Sequence, residues 1–121
     1  MSTATATPTL SRGLVSSLKK EDSTAVPAGL TTPQYDPSLL KAGILHLGVG
    51  NFHRSHLATY MNDMFNDPSL FEANQEWGIV GAGILSFDAD KRKLLQGQDW
   101  MQTLVERDAT SEKASILASM I

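Results

Sequence analysis

The sequence predicts an α/β fold in which a parallel β-α-β unit carries an added antiparallel hairpin. Two short apolar runs, Ile44–Leu47 and Trp77–Ile84, have the length and composition of buried parallel strands. Between them lies a segment with the periodicity of an amphipathic helix, and further along two strand-like runs flank a polar turn. Since two parallel strands and a hairpin leave sheet edges uncovered, we expect an incomplete domain.

The composition is that of a globular protein, with 121 residues of which 41% are hydrophobic. The net charge of −3 and the pI near 5.5 exclude the basic surface that attracts nucleic acids or acidic membranes. No apolar stretch approaches the roughly 18 residues of a membrane span. Because the chain has no cysteine, it cannot form a disulfide or a thiolate zinc site. We therefore expect a cytoplasmic protein without nucleic-acid or membrane partners, the alternative being a mitochondrial presequence in the Ser/Thr-rich first twenty residues.

Residues 1–40 are predicted to form a flexible arm that contributes nothing to the core. They are rich in Ser, Thr, Ala and Pro, and prolines interrupt every candidate helix: Pro8, Pro27, Pro33 and Pro37. The pattern changes at Gly43, where the first strand begins. We therefore assign the folded unit to residues 41–121.

The first strand leads through a glycine turn into a helix. Ile44–Leu47 is followed by Gly48 and Gly50, which allow a tight turn and a close backbone approach. We expect the helix to begin near Phe52 and to end at Pro68. One apolar stripe marks its buried face: Leu57, Met61, Met64 and Phe65.

A polar connection, Pro68–Glu76, is predicted to lead into the second strand, Trp77–Ile84. A second helix is expected over Ala89–Gln96, with Asp88 able to cap its start and Gly97 placed to end it. These segments complete the β-α-β unit and place a helix after its second strand.

The hairpin is predicted from Met101–Glu106 and Ala114–Met120, which flank the turn residues Asp108–Ser111. The sequence ends within the apolar run that forms the second of these strands. We interpret the chain as the beginning of a longer one.

Two glycine turns compete for a phosphate-binding role. Gly48-Val49-Gly50 passes directly into a long predicted helix, whose free N–H groups and dipole would face a phosphate. Gly81 and Gly83 are separated from the next helix by Ile84–Phe87, so the first turn is the better candidate. The alternative for the first turn is a plain strand-to-helix bend, because His53 stands where the usual fingerprint has its third glycine.

An acidic residue after the second strand is the other requirement of a dinucleotide site, because a carboxylate there can accept hydrogen bonds from the ribose hydroxyls. Asp88 is the best candidate and Asp90 the reserve, while helix capping is the alternative role of Asp88. Lys91 and Arg92 lie nearby and could hold the extra phosphate of NADP. The residues alone therefore leave the choice of nucleotide open.

The basic residues of the first helix have competing interpretations. Arg54 is either a phosphate ligand or part of a surface salt bridge. His53 and His56 have a spacing that could share a metal, but no third ligand is evident. His46 is interpreted as a hydrogen-bonded histidine of the core. Residues 89–121 contain no recognisable proton-transfer group, so no catalytic residue is assigned.

The segment ILHLGVGNFHRSH, Ile44 to His56, resembles the N-terminal motif of the mannitol dehydrogenase family, the long-chain polyol-specific dehydrogenases, and most closely their fungal type. The later segments WGIVGAGI, GQDWMQTLVERD and ILASMI are similar to that family in the same order. The resemblance implies a Rossmann-like dinucleotide-binding domain that uses NAD. It also implies the cofactor-binding residues Gly48, Gly50, Asn51, Phe52, His53, Arg54 and Asp88.

The same resemblance implies small-molecule substrates, namely interconversion of D-mannitol and D-fructose. It places the proton-relaying lysine in a C-terminal substrate domain that is absent from residues 1–121, so the chain alone is expected to be inactive. Uronate reductases and mannitol-1-phosphate dehydrogenases are alternatives, since they are similar in this N-terminal part. A nucleotide-binding module without catalysis is a further alternative.

Overall fold

The computed structural model describes residues 6–20 and 26–121. In chain order, its elements are α1 (Arg12–Lys20), β1 (Leu30–Thr31), a 3-10 turn (Pro37–Leu39), β2 (Ala42–Leu47), α2 (Asn51–Ser55), α3 (Leu57–Asn66), α4 (Pro68–Asn74), a second 3-10 turn (Gln75–Trp77), β3 (Gly78–Ala82), α5 (Asp88–Gly97), β4 (Gln102–Arg107) and β5 (Glu112–Leu117). None of the helices within these ranges is long and apolar enough to span a membrane.

The predicted β-α-β unit is confirmed. β2 and β3 pair in parallel, and α2, α3 and α4 form the crossover between them. Beyond β5 the chain continues alongside β3, where Ile79 N–H donates to the carbonyl of Ser119 and Ile121 N–H donates to that of Ile79, both at 3.0 Å. Met120 thereby forms a parallel bridge to Ile79 and links the sheet of β2 and β3 to the hairpin.

The two faces of this sheet are covered unequally. Ile44 and Ile79 pack with Ala58 of α3 on one face. On the other face, Leu45 and Leu47 are 67% and 60% exposed. In the described part of the chain, nothing packs over these two leucines, so β2 is covered on one face, as expected of an incomplete domain.

The predicted first helix is two helices. α2 begins at Asn51 and stops at His56, whose backbone (φ −121°, ψ −86°) is not helical, and α3 then runs to Asn66. α3 ends directly before Pro68, as predicted, and Pro68 also starts the next helix, since it is the first residue of α4 and Asp67 caps it. The connection predicted to be a polar loop is thus mostly helical.

The apolar stripe of α3 packs inward as expected, with Phe65 fully buried. Asn62, which the periodicity places on the polar side, is buried as well. Its Oδ1 accepts hydrogen bonds from Tyr35 Oη at 2.8 Å and from Ala118 N–H at 3.1 Å. Since both donors are buried, this amide satisfies polar groups that burial would otherwise leave unpaired.

The tetrapeptide Asp-Pro-Ser-Leu occurs twice, beginning at Asp36 and at Asp67. In both copies the aspartate Oδ1 accepts a hydrogen bond of 2.9 Å from the backbone N–H of the serine two residues on, and a second from its hydroxyl. These bonds lower the pKa of both aspartates. The first copy starts a three-residue 3-10 turn, whereas the second starts the seven-residue α4.

The segment before residue 41 contributes to the core, contrary to expectation. Val15, Tyr35 and Leu40 are buried in one cluster with Phe65, Met101, Ile116 and Ala118, and Leu30 of β1 pairs in parallel with Ala114 of β5. The prolines do not interrupt helix α1, because residues 12–20 contain none. Two parts of the arm predicted for residues 1–40, residues 1–5 and 21–25, lie outside the described residues.

The hairpin is confirmed. β4 and β5 pair antiparallel from Gln102 opposite Leu117 to Arg107 opposite Glu112. In the turn, Asp108 accepts hydrogen bonds from the N–H groups and hydroxyls of Thr110 and Ser111, which lower its pKa to about 2.

The predicted second helix is confirmed as α5, which ends at Gly97 as expected. Gly97 is not, however, the residue that turns the chain toward the hairpin. Asp99 and Trp100 have the left-handed backbone conformation instead, at φ 52° and 62°. Asp99 also accepts a hydrogen bond from the N–H of Arg12 at 2.9 Å, which fixes the start of α1 against this turn.

Candidate nucleotide-binding site

The turn Gly48-Val49-Gly50 lies at the carboxyl end of β2 and is fixed by backbone hydrogen bonds. Gly48 N–H donates to the carbonyl of Ala82 at 2.8 Å, and Gly50 N–H donates to that of Gly48 at 2.9 Å. Gly48 has φ +86°, a conformation that only glycine adopts without strain. A Cβ at either glycine would meet no atom within 4 Å. The backbone of this turn is therefore open to a ligand.

Gly81 and Gly83 serve a different purpose. A Cβ at Gly81 would lie closer than 3.0 Å to Val49 Cγ2, and one at Gly83 closer than 3.0 Å to Asp88 Cβ. Both glycines thus allow neighbouring segments to pack closely against the end of β3. Their packing explains them without a phosphate, which supports the choice of the first turn.

The helix after the first turn is shorter than predicted. α2 has only five residues, and Gly50 at its start supplies no side-chain cap. A helix this short adds little dipole to the turn, because the macrodipole is the sum of aligned peptide units. The open backbone of Gly48 and Gly50, more than the helix, is what qualifies this turn for a phosphate.

Asp88 does not cap α5. Its Oδ2 accepts hydrogen bonds from Ile84 N–H and Leu85 N–H, each at 2.8 Å, and Phe87 occupies the cap position. These two amides lower the pKa of Asp88 and keep the carboxylate ionised. Because one oxygen is engaged by the loop, the other remains available to a ligand.

The structure brings the first glycine turn and Asp88 to the same cavity. Its lining comes from the turn, the loop after β3 and the first turn of α5: Gly48, Val49, Gly50, Ile84, Leu85, Phe87, Asp88 and Lys91. Asp90, the reserve candidate, is exposed and lines neither this cavity nor its neighbour. The apolar loop residues Ile84, Leu85 and Phe87 were not among the predicted site residues, although three large apolar side chains directly after a strand were a signal.

A second cavity adjoins the first behind the end of β3. Apolar side chains dominate it, with Asp88, Lys91 and Arg92 at one side and Leu95, Trp100 and Met120 among the others. Val49, Asp88 and Lys91 line both cavities. A site of this kind, apolar with a few converging polar groups, is typical of small-ligand binding.

The ring of His53 is turned away from the glycine turn and into the protein. It is only 4% exposed and stacks on His46, with ring centroids 3.7 Å apart and planes 16° from parallel. Neither ring nitrogen has a hydrogen-bond partner within the described ranges. Burial, with the nearby His46 and Arg54, lowers the pKa of His53 to about 4, so the ring is neutral at pH 7. His46 is a half-buried partner of this stack rather than a core residue.

The other predicted ligands on α2 do not line the glycine-turn cavity: Asn51, Phe52 and Arg54. The Arg54 guanidinium donates to Asn51 Oδ1 and lines a pocket with Gln102 between α2 and β4, not the glycine-turn cavity. Arg54 forms no salt bridge with a described residue. Phe52 is 77% exposed and stacks on the ring of His56. Within residues 6–20 and 26–121, no group of three or more metal-ligating side chains occurs.

Comparison with known proteins identifies the family of this chain. Residues 42–121 match the model of the mannitol dehydrogenase Rossmann domain. The chain is 41% identical over 92 residues to mannitol 2-dehydrogenase of Cereibacter sphaeroides, covering 76% of this chain and 18% of that protein. It is 38% identical over 88 residues to mannitol 2-dehydrogenase of the fungus Pyricularia oryzae, covering 73% of this chain and 17% of the relative.

The fold is similar to that of Pseudomonas fluorescens mannitol 2-dehydrogenase in ternary complex with NAD and D-mannitol. The TM-score is 0.78 at 29% identity, over 93% of this chain and 21% of that one. The chain therefore spans about a fifth of the length of the relatives that it matches. Together with the β-α-β unit and its open glycine turn, these matches show that the chain belongs to the mannitol dehydrogenase family, with its Rossmann-domain segment at residues 42–121.

Proposed function

We propose that this chain is the cofactor-binding part of an NAD-dependent mannitol 2-dehydrogenase, which interconverts D-mannitol and D-fructose. The single observation that carries the proposal is the shared cavity of Gly48, Gly50 and Asp88. A dinucleotide site needs an open glycine turn for its pyrophosphate and a carboxylate for its adenosine ribose. The family match supports this assignment, and the P. fluorescens relative binds NAD and D-mannitol.

The roles follow from the geometry of each residue. Gly48 and Gly50 let the pyrophosphate approach the turn closely, and the N–H groups at the start of α2 donate to it, because the N–H groups of both glycines already donate to backbone carbonyls. The free carboxylate oxygen of Asp88 accepts from the ribose hydroxyls, while Ile84 N–H and Leu85 N–H keep the other oxygen fixed. The neighbouring apolar cavity, with Leu95 and Trp100, receives the adenine.

The side chains near the turn act mainly through position. The neutral His53 stacks on His46 and attaches α2 to β2 through this ring contact, at the position where the usual fingerprint has a glycine that lets helix and strand approach closely. Arg54 and Asn51 hold each other beside the first turn of α2. Phe52, in solvent, offers an aromatic surface next to the turn.

Bound NAD supplies the hydride acceptor for oxidation of the polyol. The hydroxyl proton must also be removed, which needs a positioned base. Among the described residues that line the glycine-turn cavity, Asp88 is held by backbone amides and placed for the ribose, and Lys91 lies beyond it on the adenosine side. Since the chain spans about a fifth of the length of its relatives, we infer that the base belongs to a part of the protein outside residues 1–121. We further propose that the protein acts in the cytoplasm on small-molecule substrates.

The test is a titration of the purified chain with millimolar NADH, followed by backbone amide NMR. We expect the largest shifts at Gly48, Gly50 and residues 51–54, with weak affinity and no mannitol-dependent NADH formation. Gly50→Ala should reduce the shifts, whereas Lys93→Ala, on α5 but in neither cavity, should not. Shifts confined to residues far from the turn would contradict the proposed site, and mannitol oxidation by the chain would contradict the inference about the base.

A further inference from the structure

Two cationic side chains lie directly beyond Asp88 on α5. Lys91 and Arg92 are three and four residues later, so they return to the same side of the helix. Both line the cavity behind β3 together with Asp88, and Lys91 also lines the glycine-turn cavity. The cations therefore stand where the adenosine end of a dinucleotide would lie.

Neither cation forms a salt bridge with a described residue. Where the chain is described, its salt bridges join Lys41 to Glu76 and Arg107 to Glu112. Asp88 is the acidic group of the cavity, and its Oδ2 is occupied by Ile84 N–H and Leu85 N–H. With two cations and one carboxylate, this side of the cavity keeps a net positive charge.

The position of Asp88 is fixed more firmly than that of the cations. Two backbone amides hold its carboxylate, and the missing side chain of Gly83 leaves room for its Cβ. Lys91 and Arg92 are long and flexible, and Arg92 is exposed. They can therefore move toward an anion, whereas the carboxylate cannot withdraw from one.

We propose that Lys91 and Arg92 form a subsite for a phosphate on the 2′-oxygen of the adenosine ribose. The site then takes an NADP-type dinucleotide as a second, weaker ligand, and Asp88 sets the preference for the unphosphorylated ribose. The proposal rests on the proposed function, which puts that ribose at Asp88. A 2′-phosphate carries between one and two negative charges at pH 7, so the carboxylate repels it and the two cations attract it.

The experiment compares two ligands that differ only in the 2′-phosphate: adenosine 2′,5′-bisphosphate and adenosine 5′-monophosphate. Affinities are measured by amide NMR titration of the 121-residue chain. We expect Lys91→Ala/Arg92→Ala to weaken the bisphosphate about tenfold and the monophosphate less than about twofold. Asp88→Asn, which keeps an oxygen for the loop amides, should raise the ratio of bisphosphate to monophosphate affinity about tenfold. Lys93→Ala is the matched control and should change neither.

An equal effect of Lys91→Ala/Arg92→Ala on both ligands, or no effect on the bisphosphate, would overturn the subsite. If the wild-type chain binds NADH and the monophosphate, but Lys91→Ala/Arg92→Ala leaves the affinity for the bisphosphate unchanged, the proposed function stands and this inference fails. If the wild-type chain binds none of the three ligands, both fail. Circular dichroism melting of each variant shows that a loss of affinity is not a loss of fold.

Discussion

The two Gly-x-Gly turns of this chain lie side by side at the ends of paired parallel strands, yet their glycines are needed for opposite reasons. In Gly48-Val49-Gly50 the space beside each glycine is empty, and Gly48 is required by its positive φ. At Gly81 and Gly83 the space is already filled by Val49 and Asp88. The same tripeptide pattern therefore marks an open surface in one place and a close contact in the other. Only the open turn is suited to a ligand.

The largest expected effect is at the filled turn. Gly81→Ala puts a methyl group into Val49 and near Met120, and we expect it to lower the free energy of unfolding by about 3 kcal/mol. Urea denaturation measures this. Because the clash is with a side chain, Val49→Ala in the Gly81→Ala background should restore about half of the loss. If Gly81→Ala is as stable as the wild type, the packing explanation of this turn is wrong.

The next effect concerns His53, which follows the open turn. Its folded pKa of about 4 lies below the ordinary value of 6.5, so the unfolded chain takes up the proton first as the pH falls. Stability is full above pH 6.5 and declines as the pH falls toward 4, by about 2 kcal/mol between roughly pH 7.5 and pH 5.

Urea denaturation across this pH range tests the prediction, with His53→Gln as the control whose curve should be flatter. The carboxylates with lowered pKa (Asp36, Asp67, Asp88 and Asp108) have ordinary values of 3.8, and their contribution is lost below the range that His53 controls. Equal pH dependence of the two proteins would contradict a buried, neutral His53.

The smallest effects on stability separate the two glycines of the open turn. Gly48→Ala should cost about 1–2 kcal/mol, because alanine is strained at φ +86° although nothing obstructs its methyl group. Gly50→Ala, at φ −89° and in open space, should change stability by less than about 0.5 kcal/mol. Thermal melting compares them. NADH binding should weaken in both, and a Gly50→Ala chain that binds NADH normally would show that no ligand approaches this residue.

Much of the fold was predictable because its signals are local. The apolar runs of β2 and β3, the hairpin and its Asp108 turn were all recognised from composition and spacing. The burial of Asn62 was not, since it depends on tertiary contacts that periodicity does not contain. Periodicity also gave no sign of the break at His56. The core role of Val15 and Tyr35 was missed because the surrounding prolines suggested an arm, although the proline-free residues 12–20 form a helix that buries Val15.

The sequence predicted which residues come together at the site, but not where their side chains point. The sequence indicated Gly48, Gly50 and Asp88, which the fold brings to one cavity. It could not show that Asp88 turns back to the loop amides or that Arg54 lines another pocket, because both depend on where a side chain finds its partner. The distinction between the two glycine turns likewise required the positions of Val49 and Asp88.

The repeated Asp-Pro-Ser-Leu turns bear on the order in which this chain folds. Each is closed by contacts between residues two or three positions apart, whereas β2 must meet β3 across the whole crossover. Short contacts form fastest because they close the smallest loops. We therefore expect both turns to appear before the sheet, one ahead of β2 and one within the crossover. Both turns would then already be formed when strand pairing, the slow step, begins.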